Sequence, residues 1–124
     1  MKIPILRLRG ILLSSIQVDL TDDDALGFQH DLLSKVSDTG ADGVVIDITA
    51  LGVVDSFLAR VLNETASMAR LLGAEVVICG MQPAVALTLV EMGRELVDVE
   101  TALNLDQGLD RIERLIGNRV VDRG

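Results

Sequence analysis

Short apolar runs alternate with longer amphipathic stretches along this chain. Runs rich in Val, Ile and Leu predict β-strands at 3–8, 11–18, 43–48, 75–79 and 96–99. Apolar residues at helical spacing predict α-helices at 21–39, 55–72, 83–92 and 104–116, and a glycine follows each of them. The first two strands lie close enough in sequence to form a hairpin that turns at Arg9 and Gly10.

This order of elements predicts an α/β fold, a mixed and mostly parallel sheet with a leading hairpin and four helices. The start of the first helix carries a specific signal, because Thr21 can cap it and Asp24 stands at the reciprocal capping-box position. We expect a single domain over 1–117, followed by a flexible polar tail at 118–124.

Composition narrows the range of partners. The chain has two Phe and no Trp or Tyr, so its core must be aliphatic and it offers few platforms for stacking bases. A net charge of −8 also argues against nucleic acid. Cys79, the one cysteine, has no partner for an internal disulfide, and no apolar run is long enough to span a bilayer or to form a signal peptide. We therefore expect a cytoplasmic protein without nucleic-acid or membrane partners.

The sequence lacks the motifs of the common kinds of catalytic site. His30 is the only histidine and lies among the polar residues of the first helix. There is no Gly-x-Ser-x-Gly elbow, no glycine-rich phosphate loop, and too few His and Cys residues for a metal site. We predict that the protein is not an enzyme and holds no cofactor or metal.

The turn Asp55-Ser56-Phe57, where the second helix begins, is the strongest candidate for a functional site. One interpretation is that Asp55 or Ser56 simply caps the helix, because both residue types are favoured there. The other is that Ser56 is a phosphoacceptor, because free amides at a helix start can hold a phosphoryl group. The added charge would lie beside Asp55 and would oppose a docked partner. The two roles are compatible.

Residues along the first turns of this helix extend the candidate site. A partly exposed Phe57 beside Ser56 would anchor a partner, whereas an inward-facing Phe57 would serve the core. We predict that Asp55, Phe57, Arg60 and Asn63 form a partner-binding surface around Ser56.

Several segments resemble a STAS domain, the fold of anti-sigma-factor antagonists. They are 43–49, the Asp55-Ser56-Phe57 turn and 73–77. Segments 3–6, 31–33, 80–89 and 100–109 are similar to the small stand-alone STAS scaffolds of the bacterial stressosome, so the resemblance covers nearly the whole chain. Sporulation-type antagonists usually carry a second serine directly after the acceptor, whereas this chain has Phe57, which favours the stressosome branch.

The resemblance implies a function and a set of partners. Ser56 matches a serine that an RsbT-type serine kinase phosphorylates. The chain would sequester that kinase in a large complex with RsbR-type STAS proteins and further copies of itself, and an RsbX-type phosphatase would reset it. Thr88 resembles a second phosphorylated position in RsbR relatives, although a helix residue that touches the core is the simpler interpretation. The alternative is a stand-alone antagonist that binds an anti-sigma kinase one to one, without a large assembly.

Overall fold

A computed structural model describes residues 2–91, 93 and 99–123 of the protein, with side chains described as far as residue 119. This part of the chain forms five strands and four helices, in the order β1 (Leu6–Leu8), β2 (Ile11–Ser15), α1 (Asp22–Thr39), β3 (Gly43–Asp47), α2 (Ser56–Leu71), β4 (Glu75–Cys79), α3 (Pro83–Glu91), β5 (Glu100–Ala102) and α4 (Leu105–Arg123). The predicted order of elements and the α/β fold class are confirmed.

The five strands form one sheet in the order β1-β2-β3-β4-β5. β1 runs antiparallel to β2, and the remaining neighbours are parallel. The predicted hairpin closes at the pair Leu8 and Ile11, with positive φ angles of 53° at Arg9 and 81° at Gly10. Two consecutive positive φ angles give a tight turn whose twist matches that of the two strands it joins.

The helices are divided unequally between the two faces of the sheet. Side chains alternate along β3, so Val44 and Ile46 join the core under α1, α2 and α3, while Val45 joins a smaller core under α4. Most buried positions of the three central strands carry Val, Ile or Leu, which explains their nearly continuous apolar sequence.

Two glycines allow α4 to lie close to the sheet. A Cβ atom at Gly43 would fall 2.6 Å from Cγ1 of Ile112, and one at Gly108 would fall 3.1 Å from Cβ of Cys79. The first separation is shorter than real Cβ contacts, and the second is tighter than most of them, so a larger residue at either position would force neighbouring atoms to shift.

The last strand and the last helix differ from the sequence prediction. The structure has a strand at Glu100–Ala102, where it pairs with Val77–Cys79, whereas the prediction placed the strand at 96–99. Val99 precedes this strand and packs against the core, while 96–98 lie outside the described residues, as does residue 92, the predicted end of the third helix. Pairing with a neighbouring strand, and not local hydrophobicity, fixes where the strand is.

The prediction that the last helix ends at 116 is also wrong. α4 continues to Arg123, so the segment expected to be a tail is helical over most of its length. The Arg119 guanidinium explains part of the extension, because it lies 3.8 Å from the Glu75 carboxylate and donates a 3.3 Å hydrogen bond to the carbonyl oxygen of Asp42. These contacts tie the helix end to the sheet. Gly117 does not stop the helix, since its φ angle is not among the positive ones.

Candidate functional site

The start of α2 shows which residue caps the helix, a question that the sequence left open between Asp55 and Ser56. Asp55 is the N-cap, and its Oδ1 accepts a 2.8 Å hydrogen bond from the backbone amide of Leu58. Its carbonyl oxygen accepts the first helical bond, from Ala59, at 2.9 Å. Ser56 is the first residue inside the helix and is exposed. The capping role therefore belongs to Asp55, and the Ser56 hydroxyl reaches solvent.

The loop that leads from β3 into α2 is held in place by polar side chains. Oδ1 of Asp47 accepts hydrogen bonds from the backbone amide of Thr49 at 3.0 Å and from its hydroxyl at 2.5 Å. Nε2 of Gln82, just before α3, donates a 2.8 Å bond to the carbonyl oxygen of Thr49. Leu51 and Val54, both within this loop, are buried. The segment before Ser56 is thus anchored at the carboxyl end of the sheet.

Sequence reasoning did not single out Asp47, Thr49 and Gln82. A signal for two of them was present, because an Asp at the end of a strand with a Thr two residues later is typical of a side-chain-stabilised turn. Gly80 completes this arrangement, since a Cβ atom there would meet the Thr49 hydroxyl at 2.0 Å. The contact of Gln82 joins residues 33 positions apart and depends on the fold.

Phe57 combines the two alternatives considered for it. Its ring is half-buried and packs against the larger core, yet it also lines a surface notch of about 210 Å³ between the starts of α1 and α2. The rim of the notch carries Asp19, Asp22 and Asp55. The Arg60 guanidinium carbon lies 5.8 Å from the centre of the Phe57 ring, within the range of a cation–π contact.

The predicted partner-binding residues lie along one part of α2, and Thr88 lies apart from them. Arg60 is exposed one turn beyond Ser56, while Asn63 is half-buried about two turns beyond it. Thr88 is on α3, where its hydroxyl donates a 2.9 Å bond to the carbonyl oxygen of Ala84. It is exposed, so the interpretation that it touches the core is wrong.

Groups capable of other chemistry are sparse in the described part of the chain. Its His, Cys, Asp and Glu residues form no cluster suited to a metal ion. Cys79 is fully buried, and burial raises the pKa of its thiol to about 11, with a smaller contribution from the carboxylate of Asp47. Within the same residues, none of the helices combines the length and the apolar character that crossing a bilayer requires.

Comparison with known proteins assigns the chain to a family. The STAS domain family matches residues 2–107, so the chain belongs to that family. It is 31% identical over 95 residues to the RsbT co-antagonist protein RsbRA of Bacillus subtilis. That alignment spans 77% of this chain but 35% of RsbRA, and a second relative, RsbRD, is matched over 23% of its length. The chain therefore corresponds to about a third or less of these two relatives.

Two solved structures resemble nearly the whole chain. A serine-to-glutamate variant of RsbS from Moorella thermoacetica is 43% identical, with a TM-score of 0.82 over 93% of this chain and 97% of that one. A chain in a solved structure of the stressosome is 45% identical, with a TM-score of 0.78 over 90% of this chain and 97% of that one. The chain is thus an RsbS-like STAS protein, which confirms the predicted resemblance.

Proposed function

We propose that this protein is a non-enzymatic stressosome scaffold that sequesters an RsbT-type serine kinase and releases it when Ser56 is phosphorylated. The observation that carries this proposal is the exposed position of Ser56 directly after the Asp55 cap, in a chain 43% identical to an RsbS. A kinase can reach that hydroxyl without unfolding the helix, because the cap does not depend on it.

The chemistry of the helix start supports a switch. The amides of Ser56 and Phe57 lie in the first turn, where they have no partner within the helix, and the positive end of the helix dipole favours an anion. A phosphoryl group there adds about −1.5 to −2 charges. It would lie beside Asp55 and the acidic rim of the notch. An acidic surface docked over Phe57 and Arg60 would be repelled, and an apolar one would have to desolvate the phosphate.

The partners follow from the relatives. RsbRA and RsbRD are named as RsbT co-antagonists, and one similar chain comes from a stressosome. We extend these properties to this chain as cytoplasmic assembly with RsbR-type STAS proteins and with itself, capture of the kinase, and reset by an RsbX-type phosphatase. Asp55, Phe57, Arg60 and Asn63 supply the kinase-facing surface.

Phosphate incorporation at residue 56 by an RsbT-type kinase tests the central step. Ser56→Ala should abolish incorporation at this position and keep kinase binding, and Ser56→Glu should bind the kinase more weakly, as a partial mimic of the phosphate. Ser67→Ala is the matched control, because Ser67 is also exposed on α2. Incorporation that persists unchanged in Ser56→Ala would refute the assignment.

Thr88 is proposed as a second acceptor on a separate surface. Mass-spectrometric mapping of the phosphorylated protein tests it, with Thr88→Ala as the control. Light scattering of a mixture with an RsbR-type protein tests the assembly itself. A particle of megadalton size supports the scaffold, and a persistent one-to-one species with a kinase would favour the stand-alone antagonist.

A further inference from the structure

The Arg60 side chain is directed toward the start of α2, where Ser56 lies. Its guanidinium carbon is 5.8 Å from the centre of the Phe57 ring, which belongs to the turn that precedes it. Long side chains on a helix usually lean this way, over the turn before their own Cα atom. Ser56 and Arg60 are four residues apart and both are exposed, so they are neighbours on one face of the helix. A group added to the Ser56 hydroxyl therefore lies on the side toward which Arg60 leans.

The present contact of Arg60 is one that it can exchange for another. Its distance from the Phe57 ring is close to the outer limit of about 6 Å for a cation–π contact, and such contacts are weak at exposed sites. Among the described residues, no carboxylate lies within ion-pair distance of the Arg60 guanidinium. A change of partner would thus break no ion pair within that part of the chain.

A phosphoryl group on Ser56 would need a nearby cation. The carboxylate of Asp55 already binds the amide of Leu58, so that amide is not available to the phosphate. The acidic rim of the notch opposes the dianionic form of the phosphate. α2 carries two cationic residues, Arg60 and Arg70, and Arg70 lies about 21 Å from Ser56 along the helix axis. On this helix, only Arg60 is close enough to pair with the phosphate.

The order of the two residues also favours a pair. An anion four positions before a cation is the better orientation for a helical ion pair, because it agrees with the helix dipole. The planar guanidinium can donate two parallel hydrogen bonds to phosphate oxygens, and this charge-assisted contact is stronger than an exposed cation–π contact. The phosphate should therefore draw Arg60 away from the Phe57 ring.

We infer that phosphoserine at position 56 pairs with Arg60, whose guanidinium leaves the Phe57 ring to bind the phosphate oxygens. The inference rests on the proposed phosphorylation of Ser56 and names the residue that receives the new charge. Arg60 is the only cation among the four residues proposed to face the kinase. Modification thus adds negative charge to this surface and withdraws its cation in the same step.

Phosphorus NMR titration of the full chain, with phosphoserine incorporated at position 56 during translation, tests the pair. Pairing favours the dianion, so Arg60→Gln should raise the second pKa of the phosphate by at least about 0.2. Arg70→Gln is the matched control, because it removes the same charge from an exposed position on the same helix, and it should change that pKa by less than about 0.1. Arg60→Lys keeps the charge and should retain most of the wild-type effect. Arg60 is exposed, so these substitutions should leave the fold intact.

Proton NMR of the Arg60 side chain tests the change of partner. In the unmodified protein, the side-chain protons of Arg60 should carry a ring-current shift from Phe57, and Phe57→Leu supplies the reference without the ring. Phosphorylation should move these resonances toward the values seen in Phe57→Leu. The same movement should be absent when phosphoserine is incorporated at position 67, since Ser67 is an exposed residue of α2 two turns beyond Arg60.

Two outcomes would overturn the inference. One is a phosphate pKa that responds alike to Arg60→Gln and Arg70→Gln, and the other is a set of Arg60 resonances that phosphorylation at position 56 leaves in place. Kinase assays on the same variants separate the pair from the proposed function. A kinase that does not modify Ser56, with a phosphate pKa that depends on Arg60, would refute the function and leave the pair intact. A kinase that modifies Ser56 and is then released, with a pKa that does not depend on Arg60, would refute the pair alone.

Discussion

The carboxylate of Asp55 accepts a 2.8 Å hydrogen bond from the amide of Leu58, so Asp55 and not Ser56 caps the start of α2. Capping and phosphate acceptance therefore fall to adjacent residues. A serine that was itself the cap would lose its capping hydrogen bond when modified, and the helix start would loosen. With the cap at Asp55, modification changes the surface charge and leaves the helix in place.

This division of roles predicts different stabilities for two neighbouring variants. Asp55→Ala should lower the free energy of unfolding by about 1 kcal/mol, because the amide of Leu58 loses its partner. Ser56→Ala should change it by less than about 0.5 kcal/mol, as is usual for an exposed side chain. Urea denaturation measures both, with Ser67→Ala as the control. An equal loss in the two variants would mean that Ser56 is structural.

Phe57→Ala should affect both stability and partner binding. The ring is half-buried, so we expect a loss of about 1–3 kcal/mol, less than for a fully buried aromatic residue. The substitution also removes the part of the notch wall next to Ser56. It should therefore weaken kinase capture at temperatures where the variant is folded. Phe57→Leu keeps most of the packing and separates the two effects. Unchanged capture by folded Phe57→Ala would exclude the ring from the interface.

Alanine substitutions of two glycines should change the free energy of unfolding in opposite directions. Gly43→Ala places a Cβ atom 2.6 Å from Cγ1 of the fully buried Ile112, so it should destabilise the protein by about 1–3 kcal/mol. Gly117 lies within α4 with no atom near its Cβ position, and Gly117→Ala should stabilise by up to about 1 kcal/mol. Thermal unfolding compares the two. Equal tolerance at both positions would contradict the close packing of α4 on β3.

The buried thiol of Cys79 predicts a pH dependence. Its pKa is raised from 9.0 to about 11, so the folded state favours the neutral thiol. The stability linked to this group is fully present below pH 9 and is lost as the pH rises through about 11, because the unfolded chain ionises first. Cys79→Ala should flatten that part of the stability profile. In the native wild type, a thiol reagent should react at the rate of transient opening, and rapid reaction at pH 8 would contradict the burial.

The candidate site was only partly readable from the sequence. Asp55 and Ser56 were recognisable as helix-start residues because capping is a local property of the chain. Which of them caps depends on backbone geometry, since the cap residue must be extended, and Asp55 has φ −80° and ψ 176°. The half-buried position of Phe57 depends on α1 and the core beneath it, which no local pattern specifies.

The sequence by itself determined the order of the elements, the hairpin turn and the capping box of Thr21 and Asp24, because these follow from short-range periodicity and turn chemistry. The tertiary structure decided where β5 pairs, how far α4 extends past Gly117, and that Leu6 and Leu8 stay exposed. Those features depend on contacts between residues far apart in the chain, such as Arg119 with Glu75 and Gln82 with Thr49. Such contacts exist only once the sheet and helices have assembled.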